Sequence, residues 1–372
     1  RVMAAAFRDL DPATFDATGD LLGYVTDLEL TSLVAMVDPP RDESKAAVLN
    51  AQNAHIRVRM VTGDDVITGA AIAKQLGIPG SAMLGTEFAA LSEQERLARI
   101  DDIGVVGRVA PEHKVLLVET LRKKGDVVAM TGDGVNDAPA IKAADIGIAM
   151  GSGTQVAKNA SRMILSDDNF ATIMRAVEQG RMVFDNLNKF IRFVIIELVA
   201  YIFTFLGASV LNIAAGQPFS PSQILYINFL VNAPLGVALG MDKEAPGLMT
   251  VKPRPRDATI MTKGLLTTAG LVGLFMAVCT LALISYGTTH FGSPGIGSSM
   301  GVTAFSLLIV AAAFQARSVT ATALTVDTFD NRNLNWTGLA ELVLAVLITQ
   351  LEVFRRLFGT VDLTLDQWAL SL

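Results

Sequence analysis

The second half of the chain contains long apolar runs, and they limit its possible folds more than any other feature. Five runs are present, at residues 188–211, 222–241, 263–286, 298–318 and 336–354. Each is close to the roughly 20 residues that a helix needs to cross a bilayer. Because 51% of all residues are hydrophobic, the runs predict an all-α transmembrane bundle. The alternative is a set of buried helices in a large globular protein.

The distribution of Lys and Arg predicts how this bundle is oriented. The segment after the second run is rich in basic residues, whereas loops 212–221 and 287–297 contain no Lys or Arg. Since cytoplasmic loops carry the excess of positive charge, residues 1–187 are predicted to be cytoplasmic in a multi-pass protein of the cell membrane. Arg355 and Arg356 follow the fifth run on the predicted outer side and oppose this topology.

The first half contains a polar string that indicates an α/β ligand site. Residues 131–139 read Thr-Gly-Asp-Gly-Val-Asn-Asp-Ala-Pro and directly follow a short apolar run. A buried strand ending here puts Asp133 at the carboxyl end of a sheet, where α/β folds bind ligands. Asp133, Asn136 and Asp137 offer three hard oxygen groups in one loop, which suits Mg²⁺. The alternative is a turn that is merely rich in Gly, Asn and Asp.

Two further segments have polar groups at the ends of predicted elements. Residues 56–61 alternate apolar and basic side chains before Thr62, Gly63 and Asp64, which predicts a strand that ends in a polar loop. Lys114 stands at the start of an amphipathic helical pattern. Because a helix start favours anions, a bound phosphoryl group would explain a lysine there. The alternative is an ordinary solvated lysine.

These segments together resemble the signatures of the P-type cation-transporting ATPases, in their calcium-pump-like branch. The string at 131–139 resembles the family's main signature, residues 60–64 resemble its TGD segment, and residues 108–114 resemble its lysine segment. Val-Asp-Pro-Pro-Arg at 37–41 resembles the entry to the second half of the phosphorylation domain, and Asp-Asp-Asn-Phe at 167–170 resembles the stretch before the stalk. The resemblance covers essentially the whole chain.

The resemblance implies an α/β haloacid-dehalogenase-like (Rossmannoid) phosphorylation domain followed by an all-α transmembrane bundle. The transmembrane part is expected to have about five full spans and the start of a sixth. The implied domains are the tail of a nucleotide-binding domain at 1–34 (with a strand at 24–30), the C-terminal part of the phosphorylation domain at 35–170, a stalk helix at 171–187 and the transmembrane domain at 188–372.

The resemblance also implies an activity. The family's phosphorylated Asp lies in a D-K-T-G-T segment, which this chain lacks. We therefore expect a C-terminal fragment of an ATP-driven cation pump that is inactive alone. The alternative is a membrane-tethered phosphatase-like remnant, or a split-gene partner with no activity of its own. The implied partners are the missing N-terminal half of the pump, the lipid bilayer and a transported cation, with calcium as the leading candidate; no nucleic acid is expected.

The implied cofactors are Mg²⁺ and ATP. The resemblance assigns the metal to Asp133 and Asp137, and it assigns nucleotide contact to Arg108. The catalytic set that it implies is Thr62, Gly63, Asp64, Lys114, Asn136 and Asp137.

Polar side chains inside the apolar runs mark an ion path, because such residues are costly in a membrane. Glu197 lies in the first run, and Asn228 and Asn232 lie one helical turn apart in the second. Pro234 follows them and frees a backbone carbonyl. Calcium pumps resembling this chain carry N-x-x-T-D here; Asn228 matches, but Val231 and Asn232 replace the Thr and Asp. The sequence therefore does not identify the ion.

Other polar side chains in the runs have simpler interpretations. An alternative role for Glu197 is a hydrogen bond to a neighbouring helix. Gln315 in the fourth run and Glu341 in the fifth are interpreted as structural residues.

Overall fold

The chain divides into two compact units. Unit 1 comprises Arg1–Gln52 and Ile56–Ala171, and unit 2 comprises Asn53–His55 and Thr172–Leu372. The computed structural model describes residues 2–35, 39–318 and 326–372. Positions 37 and 38 of the segment expected to enter the phosphorylation domain lie outside the described residues.

Unit 1 alternates strands and helices after an initial strand pair. Its strands are β1 (Val2–Phe7), β2 (Glu29–Ala35), β3 (Met60–Val61), β4 (Ser81–Leu84), β5 (Ile103–Gly107), β6 (Ala129–Gly132), β7 (Ile146–Met150) and β8 (Met163–Leu165). Its helices are α1 (Asp42–Asn53), α2 (Val66–Leu76), α3 (Gly85–Ala90), α4 (Glu93–Arg99), α5 (Pro111–Lys124), α6 (Ala138–Ala143) and α7 (Gln155–Ala160).

The strands of unit 1 form three sheets. β1 and β2 pair antiparallel, whereas the other six form two parallel sheets with the orders β3-β5-β4 and β6-β7-β8. The two parallel sheets share one hydrophobic core, in which Val106 of β5 packs in the same cluster as Met130 of β6. The α/β fold class expected from the sequence is confirmed.

Two strand predictions in unit 1 were inaccurate. The strand expected at 24–30 is wrong, because Leu21–Tyr24 forms a 3₁₀ turn and β2 begins only at Glu29. The strand expected at 56–61 is shorter than predicted, because β3 covers only Met60–Val61 and pairs there with β5.

Local capping sets the ends of the helices that flank β3 and β5. Asp65 accepts a hydrogen bond from the Ile67 N–H at 3.0 Å and starts α2. Gly77, with a φ of 77°, ends this helix in the left-handed conformation that glycine adopts most easily. Pro111 begins α5, where its missing N–H has no cost. These caps fix where the polar loops of the sheet begin.

Unit 2 is almost entirely helical. Its helices are α8 (Phe170–Val210, which begins in unit 1), α9 (Pro221–Tyr226), α10 (Ala233–Gly240), α11 (Lys263–His290), α12 (Pro294–Ala316), α13 (Arg332–Gln350), α14 (Glu352–Phe358) and α15 (Leu365–Ser371). Among the described residues, four spans are long and apolar enough to cross a membrane, and α13 with α14 makes a fifth if this bent pair is one span. The helical bundle predicted from the apolar runs is confirmed.

The fifth span ends earlier than the sequence predicted. Instead of continuing to residue 354, α13 stops at Gln350, and α14 leaves at a bend of 88°. The two arginines that opposed the predicted topology lie on α14, beyond the bend. Arg355 pairs with Asp362 at 2.8 Å, and Arg356 pairs with Glu352. Both charges are therefore neutralised locally.

The second span is interrupted by a π-helical segment, Ile227–Asn232, between α9 and α10. The Ala233 N–H donates to the Asn228 carbonyl, five residues back, instead of four. Pro234 has no N–H, so the α-helical bond to Leu230 cannot form and the wider turn replaces it. Asn228 and Asn232 therefore lie on a π-helical turn and not on the regular α-helical turn that the sequence predicted.

A buried ion cluster lies at the end of the second span. The Asp242 carboxylate, 4% exposed, accepts hydrogen bonds from Lys189 of α8 at 2.9 Å and from Arg317 at 3.0 and 3.1 Å. Lys189 also pairs with Asp185 at 2.9 Å. Burial alone would raise the pKa of Asp242, but the hydrogen bonds from Arg317 and Lys189 outweigh it and hold this pKa below its ordinary value.

We expect Asp242→Asn to destabilise unit 2 by about 3 kcal/mol, because breaking a buried ion pair leaves a charge uncompensated. The lowered pKa means that the wild-type contribution is present above the ordinary value of 3.8 and is lost as the pH falls below it. Thermal unfolding in detergent, followed by circular dichroism between pH 3 and 7, measures both effects. The control is Asp362→Asn, which breaks an exposed pair and should cost less than about 1 kcal/mol. Equal stability of the Asp242 variant and wild type would contradict this role.

Candidate functional site

The loop after β6 has one exposed and one buried aspartate. Asp133 follows the strand directly and is exposed, whereas Asp137 is only 8% exposed. Asp137 Oδ2 accepts hydrogen bonds from the N–H groups of Asp133 at 3.2 Å and Gly134 at 3.1 Å. A Cβ on residue 132 would lie 2.7 Å from this oxygen, so Gly132 permits the close approach. Asp137 therefore closes the loop and Asp133 is left facing outward.

Lys114 joins this loop to the parallel sheet that contains β5. It lies in the first turn of α5, and its Nζ donates to Asp137 Oδ1. Burial raises the pKa of Asp137, but hydrogen bonds from Lys114 and Gly134, together with the lysine charge, lower it below its ordinary value. Asp137 is therefore ionised at neutral pH, and Lys114 is held beside the loop.

The loop after β7 also supports Asp133. The Thr154 N–H donates to the Asp133 carbonyl at 2.8 Å, and the Thr154 side chain caps α7. This contact was not predicted from the sequence. The signal was the Gly-Ser-Gly-Thr string at 151–154, which follows the apolar residues of β7 in the same way that the aspartate loop follows β6.

The loop after β3 is bonded to the start of the lysine segment. The Thr62 N–H donates to the Val106 carbonyl at 3.0 Å, and the Val109 N–H donates back to the Thr62 carbonyl at 3.2 Å. The Arg108 N–H donates to the Asp64 carbonyl at 2.9 Å, and the Thr62 hydroxyl accepts a hydrogen bond from the Asp64 N–H at 3.1 Å. The backbone thus fixes Thr62 and Asp64 beside residues 108–109.

Besides Asp133, four predicted residues in unit 1 are exposed. Gly63 and Asp64 lie at the tip of the loop after β3, and Asn136 lies in the loop after β6. The Arg108 guanidinium is also exposed and pairs with Asp65 at 2.8 Å. The structure brings the predicted residues together as two groups, the loop after β6 with Lys114 and the loop after β3 with Arg108.

The oxygen groups fit Mg²⁺ through Asp133. Among the described residues, no three His, Cys, Asp or Glu side chains form a complete metal-ligand group. Mg²⁺ does not require one, because it binds through one or two carboxylates and completes its shell with phosphate oxygens and water. Both Asp137 oxygens already accept hydrogen bonds from Lys114 and the loop backbone. This geometry favours Asp133 as the ligand and Asp137 as the residue that orders the loop.

A second group of polar residues lies inside unit 2. Glu197 of α8 is 4% exposed, and its Oε1 has no hydrogen-bond partner among the described residues. One turn further, the Tyr201 hydroxyl is 3.4 Å from the Asn228 amide nitrogen, which also donates to the Ile224 carbonyl at 2.9 Å. Asn232 is half-buried at the end of the π-helical segment. Tyr201, which lies one helical turn after Glu197, was not among the site residues predicted from the sequence.

Both parts of the chain match known protein families. Residues 216–372 match the family described as cation transporting ATPase, C-terminus. Residues 4–145 and 115–177 match two families described as haloacid dehalogenase-like hydrolases. The first match covers most of unit 2, and the other two cover most of unit 1.

Curated relatives agree with these matches. A probable cation-transporting ATPase F of Mycobacterium tuberculosis is 38% identical over 353 residues, which are 92% of this chain and 38% of the relative. Calcium-transporting ATPases of Listeria monocytogenes and Bacillus subtilis are 37% and 35% identical over the whole chain and 42% of their own lengths. The chain thus spans about two fifths of the length of these relatives.

The matches and the apolar spans together establish the class of the protein. Four helices, or five with the bent pair, can cross a membrane, and the haloacid-dehalogenase-like part precedes them as a soluble segment. The chain is therefore a multi-pass membrane protein that belongs to the P-type cation-transporting ATPases.

Proposed function

We propose that the chain supplies the phosphate-site loops and the later membrane spans of an ATP-driven cation pump, with residues 1–187 in the cytoplasm. The observation that carries this proposal is the loop after β6. Its exposed Asp133 is available for Mg²⁺, while the buried Asp137 holds Lys114 beside it. Phosphoryl transfer needs this combination of a metal-binding carboxylate and a positioned cation.

We propose that the phosphorylated aspartate comes from another segment, because the chain has no D-K-T-G-T sequence. Within the described residues, β3 pairs only with β5, and β6 pairs only with β7, so each has a free edge. Free strand edges readily pair with an additional strand. We propose that the nucleophile lies on a parallel strand between β3 and β6, which would place it between Thr62 and Asp133.

Each residue of the two loops then has a role. Asp133 would bind Mg²⁺, which neutralises charge on the transferred phosphoryl group. Lys114 has three N–H donors and uses one for Asp137, so two remain for phosphoryl oxygens. The Thr62 hydroxyl and the exposed N–H groups near Gly63 would orient the same oxygens. Arg108 would contact the nucleotide, and Asn136 would help to order the loop.

The alternative of a phosphatase-like remnant or an inactive split-gene partner is less favoured. Such a remnant would not require polar groups inside the membrane. Here Glu197, Tyr201 and Asn228 lie together in the spans, and the family match at residues 216–372 includes Asn228.

We expect the chain alone to form no phosphoenzyme, because covalent catalysis needs the nucleophile. Incubation with radiolabelled ATP and Mg²⁺ should give no acid-stable, hydroxylamine-sensitive label. A chimera, in which residues 1–372 replace the matching part of the Listeria calcium-transporting ATPase, should be labelled. Label on the isolated chain would contradict the need for another segment, and an unlabelled chimera that folds would contradict the pump assignment.

In the same chimera, Asp133→Asn should reduce the rate of phosphorylation from ATP roughly 100-fold, as loss of one strong electrostatic contact to the transition state does. Asp137→Asn should act by disordering the loop, so its loss of rate should be accompanied by lower thermal stability. The matched control is Asp126→Asn, an exposed aspartate that precedes β6 at its opposite end. Normal phosphorylation of the Asp133 variant at ordinary Mg²⁺ concentrations would contradict this assignment.

We also propose that Glu197, Asn228 and Asn232 line the path of the transported cation, with Ca²⁺ as the leading candidate. The Asn228 amide nitrogen is used by Ile224 and Tyr201, so its oxygen remains for an ion. The π-helical segment and Pro234 leave backbone carbonyls available near it. Calcium binding needs six to eight oxygens, including carboxylates, so Glu197 and oxygens from outside this chain would complete the site.

Ion-stimulated phosphorylation of the chimera tests this path. Glu197→Gln and Asn232→Ala should each raise the Ca²⁺ concentration for half-maximal phosphorylation by about tenfold or more, since each removes an oxygen ligand or its charge. The control is Glu352→Gln on α14, whose carboxylate is exposed and paired with Arg356. Unchanged affinity in both variants would remove these residues from the ion path.

A further inference from the structure

A second buried acid lies in the membrane part, on a different helix from the residues of the proposed cation path. Glu341 is near the middle of α13 and is 3% exposed. Its Oε2 has no hydrogen-bond partner among the described residues. An intramembrane carboxyl without a partner is costly unless it binds a ligand or a proton. The structural role expected from the sequence leaves this oxygen unexplained.

Glu341 lies on the face of α13 that packs against α12. The buried stripe of α13 consists of Leu334, Gly338, Glu341, Ala345 and Ile348. A Cβ on Gly338 would lie 3.2 Å from Phe314 and 3.5 Å from Val310, both on α12. Glu341 therefore points toward the interior of the bundle and not toward lipid.

The facing stripe of α12 carries hydroxyl groups. Ser299, Thr303 and Ser306 precede Val310 and Phe314 at helical spacing, and all three are 2% exposed or less. The Thr303 hydroxyl has no partner among the described residues. Ser299 accepts a hydrogen bond from the Val361 N–H at 2.8 Å. A row of buried hydroxyls thus leads from the level of Glu341 to the loop at Val361, on the predicted outer side.

Tyr226 adds another buried hydroxyl group to the interior of the bundle. It is 1% exposed at the end of α9, and its hydroxyl has no hydrogen-bond partner among the described residues. Tyr226 packs in the same buried cluster as Phe305 of α12 and Ile348 of α13. The interior around α12 and α13 thus contains the carboxyl of Glu341 together with several buried hydroxyls.

We propose that Glu341, on the face of α13 that packs against the hydroxyl groups of α12, is an intramembrane proton site that binds no metal cation. One carboxylate with hydroxyls is too poor in oxygen ligands for a divalent cation, which needs six or more. A proton needs only one oxygen: it passes from water to a Glu341 carboxylate oxygen and returns to water. Hydroxyl groups both donate and accept, so the row on α12 can relay it. Only the use of this proton site in transport rests on the proposed pump function; the site itself does not.

The charged groups around Glu341 support a neutral carboxyl. In the described parts of the helices packed against it, α10 and α12 carry no ionisable side chain within their spans, and Tyr226 is the titratable group of α9. The charges of α14 are already paired, Glu352 with Arg356 and Arg355 with Asp362. Arg317 at the end of α12 is bonded to Asp242. No described cation is thus placed to hold Glu341 ionised.

Dicyclohexylcarbodiimide, an apolar reagent that modifies neutral carboxyl groups within membranes, tests the site in lipid vesicles on the chimera with the Listeria calcium-transporting ATPase, because this chimera supplies the remaining Ca²⁺ ligands. Peptide mass mapping locates the adducts at neutral pH, with a chelator or with Ca²⁺ in excess. We expect Glu341 to be modified equally in both conditions. Labelling of Glu197 should fall roughly tenfold when Ca²⁺ exceeds its Kd about tenfold. Exposed Glu352 should stay unmodified.

A second measurement detects the protonated carboxyl directly, so that it does not depend on whether the reagent can reach Glu341. With Ca²⁺ in excess, so that Glu197 is bound to the cation, the infrared band of a protonated carboxyl should decrease in Glu341→Gln and be unchanged in Glu352→Gln. If Glu341 gives neither an adduct nor this band, or if Ca²⁺ protects it, the proton site is wrong. If Ca²⁺ protects neither glutamate while Glu341 is labelled, the proton site stands and the proposed role of Glu197 is wrong.

Discussion

The ion pair between Lys114 and Asp137 is the interaction on which the soluble site depends. It joins the helix after β5 to the loop after β6, and so connects the two parallel sheets at their carboxyl ends. The Asp137 carboxylate also receives the N–H groups of Asp133 and Gly134. A buried carboxylate is stable only when its oxygens are bonded in this way. Loss of either partner would therefore release the loop, the lysine and Asp133 together.

The membrane imposes a different constraint on unit 2. Buried charge there must be paired, neutral or bound to a ligand. Asp242 is the paired case, with Lys189 and Arg317 on two different helices. Its cluster lies at the end of the spans, where the cost of burial is smaller than at the centre. Arg181 of α8 donates to the carbonyls of Leu248 and Val251 at 2.9 and 3.0 Å. These bonds also fix the loop after the second span to α8.

Sequence reasoning predicted what depends on local pattern and missed what depends on tertiary contacts. The spans, the continuous helix after residue 170 and the strand before Asp133 follow from composition and periodicity. The burial of Asp137 was not predictable, because Asp133 and Asp137 are both aspartates bracketed by small residues. The partners of Asp242 are 53 and 75 residues away. The end of α13 was missed because residues 351–354 remain apolar enough to extend the pattern.

Pairing separates structural from functional carboxylates in both units. Asp137 and Asp242 are buried, fully hydrogen-bonded and held ionised by cations, so neither has an oxygen free for another ligand. Asp133 is exposed to solvent, and Glu197 and Glu341 each have a buried oxygen without a described partner. A ligand can gain binding energy only from groups that the fold has not already satisfied. The same criterion therefore selects Asp133 for a metal in unit 1 and the two glutamates for a cation and a proton in unit 2.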